Sequence, residues 1–367
     1  MSLYKCPECG RSYRYSVSVC SWCHIPLVEE AWEGATAVAV SEVLVPMLGH
    51  EDVPYWCVLA RTHEGYNLIL KSDVAVSVGD AMSAVSDDTM LSEVGVIGSG
   101  VMGSSIVELL LTRGHRVVWL GRTSAGLTRA KVRVLDRLGR TQDEVELQSS
   151  AQRLTISNDD AALAACDVVI EVVVEQLQAK KDALRNAEAA MRSDAILATN
   201  TSGLSLDDLA AGLARPEKFG ALHFFNPATR MRLVETAVCS RTSQQTSLEL
   251  DRFARSLGKI PVRVAATPAF AVNRALMPLL NEAVRELEEN VADAASIDEA
   301  VRLGLNHPMG PLALADLIGL DVLVEIMDNL ADRLSDETYR PRPLILRMVA
   351  AGELGRKSGK GFYEYAK

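Results

Sequence analysis

Three groups of residues in this sequence have types and spacings that can do chemistry. Cys6-Pro7-Glu8-Cys9 and Cys20-Ser21-Trp22-Cys23 are CxxC knuckles separated by ten residues. Each pair can turn two thiolates toward one point, and two pairs complete the closed tetrahedral shell of a structural zinc. Cys6, Cys9, Cys20 and Cys23 are the expected ligands, and His24 is a bystander because four thiolates already fill the shell. The second group is Gly98-Ser99-Gly100-Val101-Met102-Gly103, directly after the apolar run Val94 to Ile97. Gly98 permits a tight turn, Gly100 lets backbone approach a pyrophosphate, and Gly103 lets a helix pack closely on a strand. The helix N-terminus then stabilises the negative charge, which makes Gly98, Gly100, Val101, Met102 and Gly103 the expected cofactor contacts.

The end of the next strand selects the dinucleotide. A carboxylate there would bind a ribose 2′-hydroxyl and repel a 2′-phosphate. The sequence instead reads Leu120-Gly121-Arg122-Thr123, which supplies a cation and a hydroxyl. Gly121, Arg122 and Thr123 therefore favour NADP(H). The alternative is an arginine pointing to solvent, with NAD(H) held through its pyrophosphate.

The third group consists of polar clusters that follow strands. Asn200 to Leu204, His223 to Pro227, Glu235, and Asn273-Arg274 at the start of a helical region would converge where open α/β sheets place their ligands, in an interdomain cleft.

The elements that must position these groups follow from periodicity. Residues 1–30 lack the apolar pattern of a core and need a staple. Short β-prone runs from Val38 to Val78 predict a small β-barrel, followed by a linker to about residue 88. From Ser92 strands and helices alternate, the signature of a parallel sheet covered by helices, with strands at Glu93 to Ile97, Arg116 to Leu120, Asp167 to Val173, Ala195 to Thr199, Gly220 to Phe224 and Leu233 to Val238. After about Pro268 the segments Phe270 to Leu287, Ser296 to Gly304, Asp321 to Leu334 and Pro343 to Ala351 read as helices, with Ser296 and Glu299 as a capping box. The expected divisions are 1–30, 31–88, 89–268 and 269–367: zinc ribbon, barrel with linker, Rossmann-type α/β domain, and all-helical C-terminal domain.

Composition excludes other classes. With 48% hydrophobic and 23% charged residues the chain has the balance of a soluble globular protein, and no charge-free apolar run is long enough for a bilayer. A net charge of −10 disfavours nucleic acid as a partner. No signal peptide is readable, so the cytoplasm is the expected compartment. Cys57, Cys166 and Cys239 lie singly in apolar runs and are expected to be small buried residues.

From about Val94 to the C-terminus the sequence closely resembles the L-3-hydroxyacyl-CoA dehydrogenase family, including short-chain 3-hydroxybutyryl-CoA dehydrogenases. The blocks that carry the resemblance are Gly98 to Gly103, Asn200 to Leu204, His223 to Pro227, Asn273-Arg274, His307 to Pro311, and Gly355 to Tyr363. It implies that His223 is the general base, that Glu235 orients it, and that Ser202 and Asn273 hold the substrate. Asn200 and Glu175 fall at cofactor-side positions, although Glu175 reads equally well as a solvated helix start.

These types suit the reaction. Oxidising a secondary alcohol takes a proton from O3 while hydride leaves C3, and a histidine can accept that proton. Residues 1–82 look like the zinc-ribbon and OB-fold unit found beside thiolases and other acyl-CoA enzymes, which implies acyl-CoA contact or docking of a thiolase-type partner, or a solubilising appendage. One departure concerns the helical hairpin that the family uses for CoA. Only Ser124 to Gln152 fill that interval, so a shortened hairpin is expected and an acyl-carrier-protein thioester becomes a possible substrate. The helical domain's apolar segments predict a homodimer. The competing functions are a dehydrogenase for a carrier-protein-bound or free hydroxy acid, and a scaffold with a degenerate dehydrogenase portion.

Overall fold

The computed structural model describes residues 2–5, 12–13, 28–31, 35–43, 55–62, 67–72, 77–79, 81–82 and 93–365. The chain divides into two compact units, Met1–Met90 and Leu91–Lys367.

In the first unit β1 (Ser2–Lys5), β2 (Ser12–Tyr13) and β3 (Val28–Ala31) form an antiparallel sheet with β1 in the middle. The expected zinc ligands Cys6, Cys9, Cys20 and Cys23 lie outside the described residues. A second antiparallel sheet contains β4 (Ala35–Val43), β5 (Tyr55–Thr62), β6 (Asn67–Ser72) and β7 (Ala81–Met82) in the order β6-β5-β4-β7. Alternation along β5 buries Val58 and Ala60 between the more exposed Cys57, Leu59 and Arg61, the period-two pattern of a one-sided sheet. The expectation of a strand over Val74 to Val78 is corrected at its end: Val78 and Gly79 form a turn, with the Gly79 amide donating to Ala37 O.

The second unit opens with β8 (Glu93–Ile97), α1 (Val101–Thr112), β9 (Arg116–Leu120), α2 (Ser124–Leu138), α3 (Glu144–Gln152) and β10 (Leu154–Ser157). It continues through β11 (Val168–Glu171), α4 (Leu177–Ala190), β12 (Ile196–Thr199), α5 (Leu206–Ala210), β13 (Phe219–Phe224), β14 (Leu233–Val238), α6 (Gln244–Ser256) and β15 (Ile260–Arg263). The eight strands make one sheet in the order β10-β9-β8-β11-β12-β13-β14-β15, parallel except for the antiparallel β13–β14 pair. Both faces are covered. Val117 and Trp119 enter the core that holds Ile106, Leu110 and Phe253, while Val118 and Leu120 enter the one that holds Val169, Leu184 and Leu197. Each fully buried Val or Leu contributes about 1.5–3 kcal/mol relative to an exposed one, so these two layers fix the sheet that carries the site.

A helical layer follows: α7 (Val272–Glu288), α8 (Ala294–Gly304), α9 (Pro311–Ile318), α10 (Leu320–Leu334) and α11 (Pro343–Ala350), packed around Leu280, Val284, Leu312, Leu323, Met327 and Ile345. The capping box expected at Ser296 is corrected. Asp293 is the N-cap, and its carboxylate accepts from the Ser296 amide at 2.8 Å. Asp is as good a cap as Ser, and two alanines extend the helix back to it. The Gly355 to Tyr363 block closes on Asp316 of α9, which is 1% exposed and accepts from the Phe362 and Tyr363 amides and the Tyr365 hydroxyl. No helix among the described residues is long and apolar enough to cross a membrane.

Candidate active site

β8 lies between β9 and β11, so the strand order reverses there and a crevice opens at the carboxyl ends. Gly98 sits at φ +125, and a Cβ there would lie 2.4 Å from Val172 O. A Cβ on Gly103 would lie 2.1 Å from Gly98 O. Gly100, by contrast, has open space around it. Two glycines thus pack the loop and the third leaves its outer face clear, a shape that fits a dinucleotide pyrophosphate. The buried Trp119 indole fixes the loop by donating to Gly98 O at 2.8 Å. Val101 is exposed at the start of α1 and Met102 packs against the core. Gly100 caps that helix without a side chain and no carboxylate stands in its first turn, so the leading amides can face an anion.

Gly121 follows β9, packed so closely that a Cβ would lie 2.9 Å from Leu127 Cγ. Arg122 is exposed, with no hydrogen bond or ion pair to the described residues. The Thr123 hydroxyl oxygen accepts from the Gly126 amide at 3.2 Å and caps α2, whose first turn holds no acidic residue.

His223 is the penultimate residue of β13 and is registered opposite Glu235 of β14. Alternation along antiparallel strands puts both side chains on the same face, and His223 Nδ1 lies 2.8 Å from Glu235 Oε2. The pair is buried, at 5% and 1% exposure. Glu235 Oε1 accepts from the amides of Ala271 and Val272 at 3.0 and 2.9 Å, at the N-terminus of α7. Burial opposes ionisation of this carboxyl, but the hydrogen bonds from His223 and the two amides outweigh it and hold the group below the usual carboxylate range. Asn273 comes one residue later, half-buried, with its side chain unbonded among the described residues. Phe225 and Phe270 pack on the imidazole with ring centroids 4.6 and 5.6 Å away.

Ser202 is placed by Glu175. Its amide donates to Glu175 Oε1 at 2.9 Å and its hydroxyl lies 3.3 Å from the same oxygen, which also receives the Thr201 hydroxyl at 2.5 Å and the Gly203 amide at 3.2 Å. Burial raises the Glu175 pKa, yet Lys180 and these donors pull it below the ordinary value. Lys180 is buried, 2.9 Å from Glu171 and 3.3 Å from Glu175. Glu171 in turn accepts from the Thr199 hydroxyl at 2.6 Å. Asn200 closes the set: its amide donates to Glu171 O and its Oδ1 accepts from the Phe224 amide, both at 2.8 Å.

The structure therefore brings His223 and Glu235 into contact, hangs Ser202 on Glu175, and carries Asn273 on the helix that Glu235 caps. Sequence reasoning missed Glu171 and Lys180, and gave no separate role to Thr199 and Thr201. A lysine early in a helix reads as solvated, and only the fold shows that it turns inward between two glutamates. A cavity of about 160 Å³ lies beside this loop, lined by Glu175, Ser202, Leu204 and Ala269 and by Val322 and Ile326 of α10, where the interdomain cleft was expected. Cys166 and Cys239 are buried and Cys57 is half-buried; burial pushes the Cys166 thiol up to about 12, which makes it inert. Among the described residues no cluster of His, Cys, Asp and Glu suits a metal.

Comparison with known proteins places this arrangement in a family. Residues 93–267 match the NAD binding domain of 3-hydroxyacyl-CoA dehydrogenase and residues 270–365 its C-terminal domain. The chain is 41% identical over 275 residues to a probable 3-hydroxybutyryl-CoA dehydrogenase of Deinococcus radiodurans, covering 74% of this chain and 99% of that one. It is 34% identical over 304 residues to the mitochondrial hydroxyacyl-coenzyme A dehydrogenase of Homo sapiens, covering 79% and 96%. Among solved structures, (S)-3-hydroxybutyryl-CoA dehydrogenase PaaH1 from Ralstonia eutropha superposes with a TM-score of 0.72 at 39% identity, over 76% of this chain and all of that one. With both domains matched and relatives covered almost end to end, the chain belongs to the 3-hydroxyacyl-CoA dehydrogenase family.

Proposed function

We propose that this chain interconverts 3-hydroxyacyl and 3-oxoacyl CoA thioesters by hydride transfer at C3, as the names of its relatives indicate. The observation that carries the mechanism is the buried His223–Glu235 pair at the sheet's carboxyl edge. With Nδ1–H donated to the carboxylate, Nε2 is the basic nitrogen and takes the O3 proton during oxidation. In reduction the same nitrogen returns it. Glu235, whose carboxyl is held below its ordinary value by His223 and the two amides, stabilises the imidazolium that forms between these events. Ser202 and Asn273 donate to substrate oxygens on which charge develops, each worth about 3 kcal/mol by analogy with oxyanion-hole donors. A bound nicotinamide dinucleotide supplies the hydride acceptor or donor.

The family's domain is NAD-binding, and the finer reading here is NADP(H). Arg122 is exposed and uncommitted beside the N-terminus of α2, which suits a 2′-phosphate, and Gly121 leaves no carboxylate to repel it. The α2–α3 hairpin supports CoA as the thioester carrier: Arg129, Arg133 and Arg140 project to solvent without ion pairs among the described residues. Exposed Leu303, Leu305, Leu317 and Leu346 on the helical layer support a homodimer. The four cysteines are read as zinc ligands of a ribbon that, with the four-stranded sheet as an OB-like barrel, docks a thiolase-type partner or the acyl carrier.

The test is a steady-state panel of 3-hydroxybutyryl groups on CoA, on acyl carrier protein and as the free acid, with both dinucleotides. Turnover on the CoA thioester supports the proposal. Turnover confined to the carrier-protein or free-acid form moves the substrate elsewhere, and none at all leaves the scaffold reading.

A further inference from the structure

The connection from Phe225 to Arg232 joins the strand end carrying His223 to the strand carrying Glu235, and a buried cation outside the reaction holds it. Lys259 follows Gly258, which has φ +69 just past the end of α6, and is 7% exposed. Its Nζ donates to Ala228 O at 2.5 Å and Met231 O at 2.9 Å. Among the described residues it has no carboxylate partner, so both of its acceptors belong to this one turn. The turn is also held from the other side. The Ala228 amide donates to Ser105 Oγ of α1 at 2.7 Å, and the Ile260 amide, next to Lys259, donates to Arg232 O at 2.8 Å.

Packing alone does not explain a lysine here. An apolar side chain of similar length would fill the space without the cost of burying a charge. Burial, with Arg113 nearby, already pushes the Lys259 pKa down, so the ammonium is held at a disadvantage. What the cation adds is direction: one group draws two carbonyls of the turn toward a single point. Phe225, the first residue of that turn, packs on the His223 ring.

We infer that Lys259 is a positioning residue, which fixes the β13–β14 turn and thereby holds the His223 imidazole in line with O3 of the substrate. The inference rests on the reading of His223 as the base. Its consequence is that loss of the ammonium affects the chemical step more than cofactor binding.

The experiment uses full-length Lys259→Met and Ser105→Ala, singly and together. It reads kcat on 3-hydroxybutyryl-CoA, the dissociation constant of the preferred reduced dinucleotide by fluorescence titration, and the melting temperature. Lys259→Met should lose about tenfold or more in kcat, within the range expected for a misplaced catalytic group, with dinucleotide affinity within about twofold of wild type. Ser105→Ala should show the same split, and the double variant should lose less than the product of the two. Unchanged kcat in folded Lys259→Met, or equal losses in kcat and dinucleotide affinity, would overturn the inference. If Lys259→Met does not fold, unchanged kcat in Ser105→Ala does the same. Wild type without turnover on any acyl thioester would remove the underlying reading of the site instead.

Discussion

His223 and Glu235 are direct partners across the antiparallel β13–β14 pair, and the two oxygens of Glu235 divide their work: one meets the imidazole, the other the first amides of α7. One side chain thus orients the base and anchors the helix that presents Asn273. His223→Ala should reduce kcat by about 10²-fold or more with dinucleotide affinity preserved. Near-normal turnover of the folded variant would remove His223 from the chemistry.

Part of the acid sensitivity follows from two active-site carboxylates held below the ordinary value of 4.5, Glu175 and Glu235. In the unfolded chain they take up protons first as the pH drops. Their stabilising contribution is therefore complete above the ordinary carboxylate range and is lost as the pH falls through their lowered values. Urea midpoints should decline on acidification below about pH 5. A folded Glu175→Gln, Glu235→Gln variant should be less stable at neutral pH and show a shallower decline; an equally steep curve would assign the acid sensitivity to other groups.

Dinucleotide choice should turn on Arg122. Wild type is expected to favour NADPH in kcat/KM, and Arg122→Gln should lower that value about tenfold to a hundredfold while leaving NADH little changed. Gly121→Asp should reverse the order of the cofactors, but a Cβ there crowds Leu127 and Ser99, so its melting temperature must be followed alongside. A wild-type preference for NADH would show that Arg122 does not reach the ribose.

The C-terminal block makes a stability prediction. A Cβ on Gly361 would lie 1.9 Å from Asp316 Oδ1, the atom that accepts the Phe362 amide. Gly361→Ala should cost about 1–3 kcal/mol through overpacking, seen as a lower urea midpoint. Wild-type stability would mean that the tail rearranges freely around Asp316.

Metal analysis should return about one zinc per chain if the four N-terminal thiolates bind as proposed. Cys6→Ser with Cys9→Ser should then abolish zinc binding but spare dinucleotide binding. Immediate loss of hydride transfer on chelation would place the metal nearer the chemistry.

The glycine loop and the strand ends were legible because each rests on a short local pattern in strand-turn-helix context, whereas the roles of His223 and Glu235 came from the family resemblance and their contact only from the fold. β10 and β15 were not legible. Both are four-residue edge strands, Leu154-Thr-Ile-Ser and Ile260-Pro-Val-Arg, whose mixed polarity reflects one unpaired side, and Pro261 is tolerated there because an edge strand does not need every donor. Lys180 and Lys259 were missed for a related reason. A long cationic side chain reads as solvated, and its burial depends on glutamates or carbonyls that only the tertiary fold delivers.

The shared carboxylate of Glu235 also bears on how this fold can be cut and recombined. The matched domains meet between residues 267 and 270, which invites treating them as exchangeable blocks. Glu235 crosses that seam. A fragment ending at residue 267 would strip the acidic side chain of two of its amide donors, and a transplanted helical domain would arrive with its first helix uncapped. Chimeras between relatives should therefore keep the sheet residue and the start of α7 from one parent, with the crossover moved past Asn273.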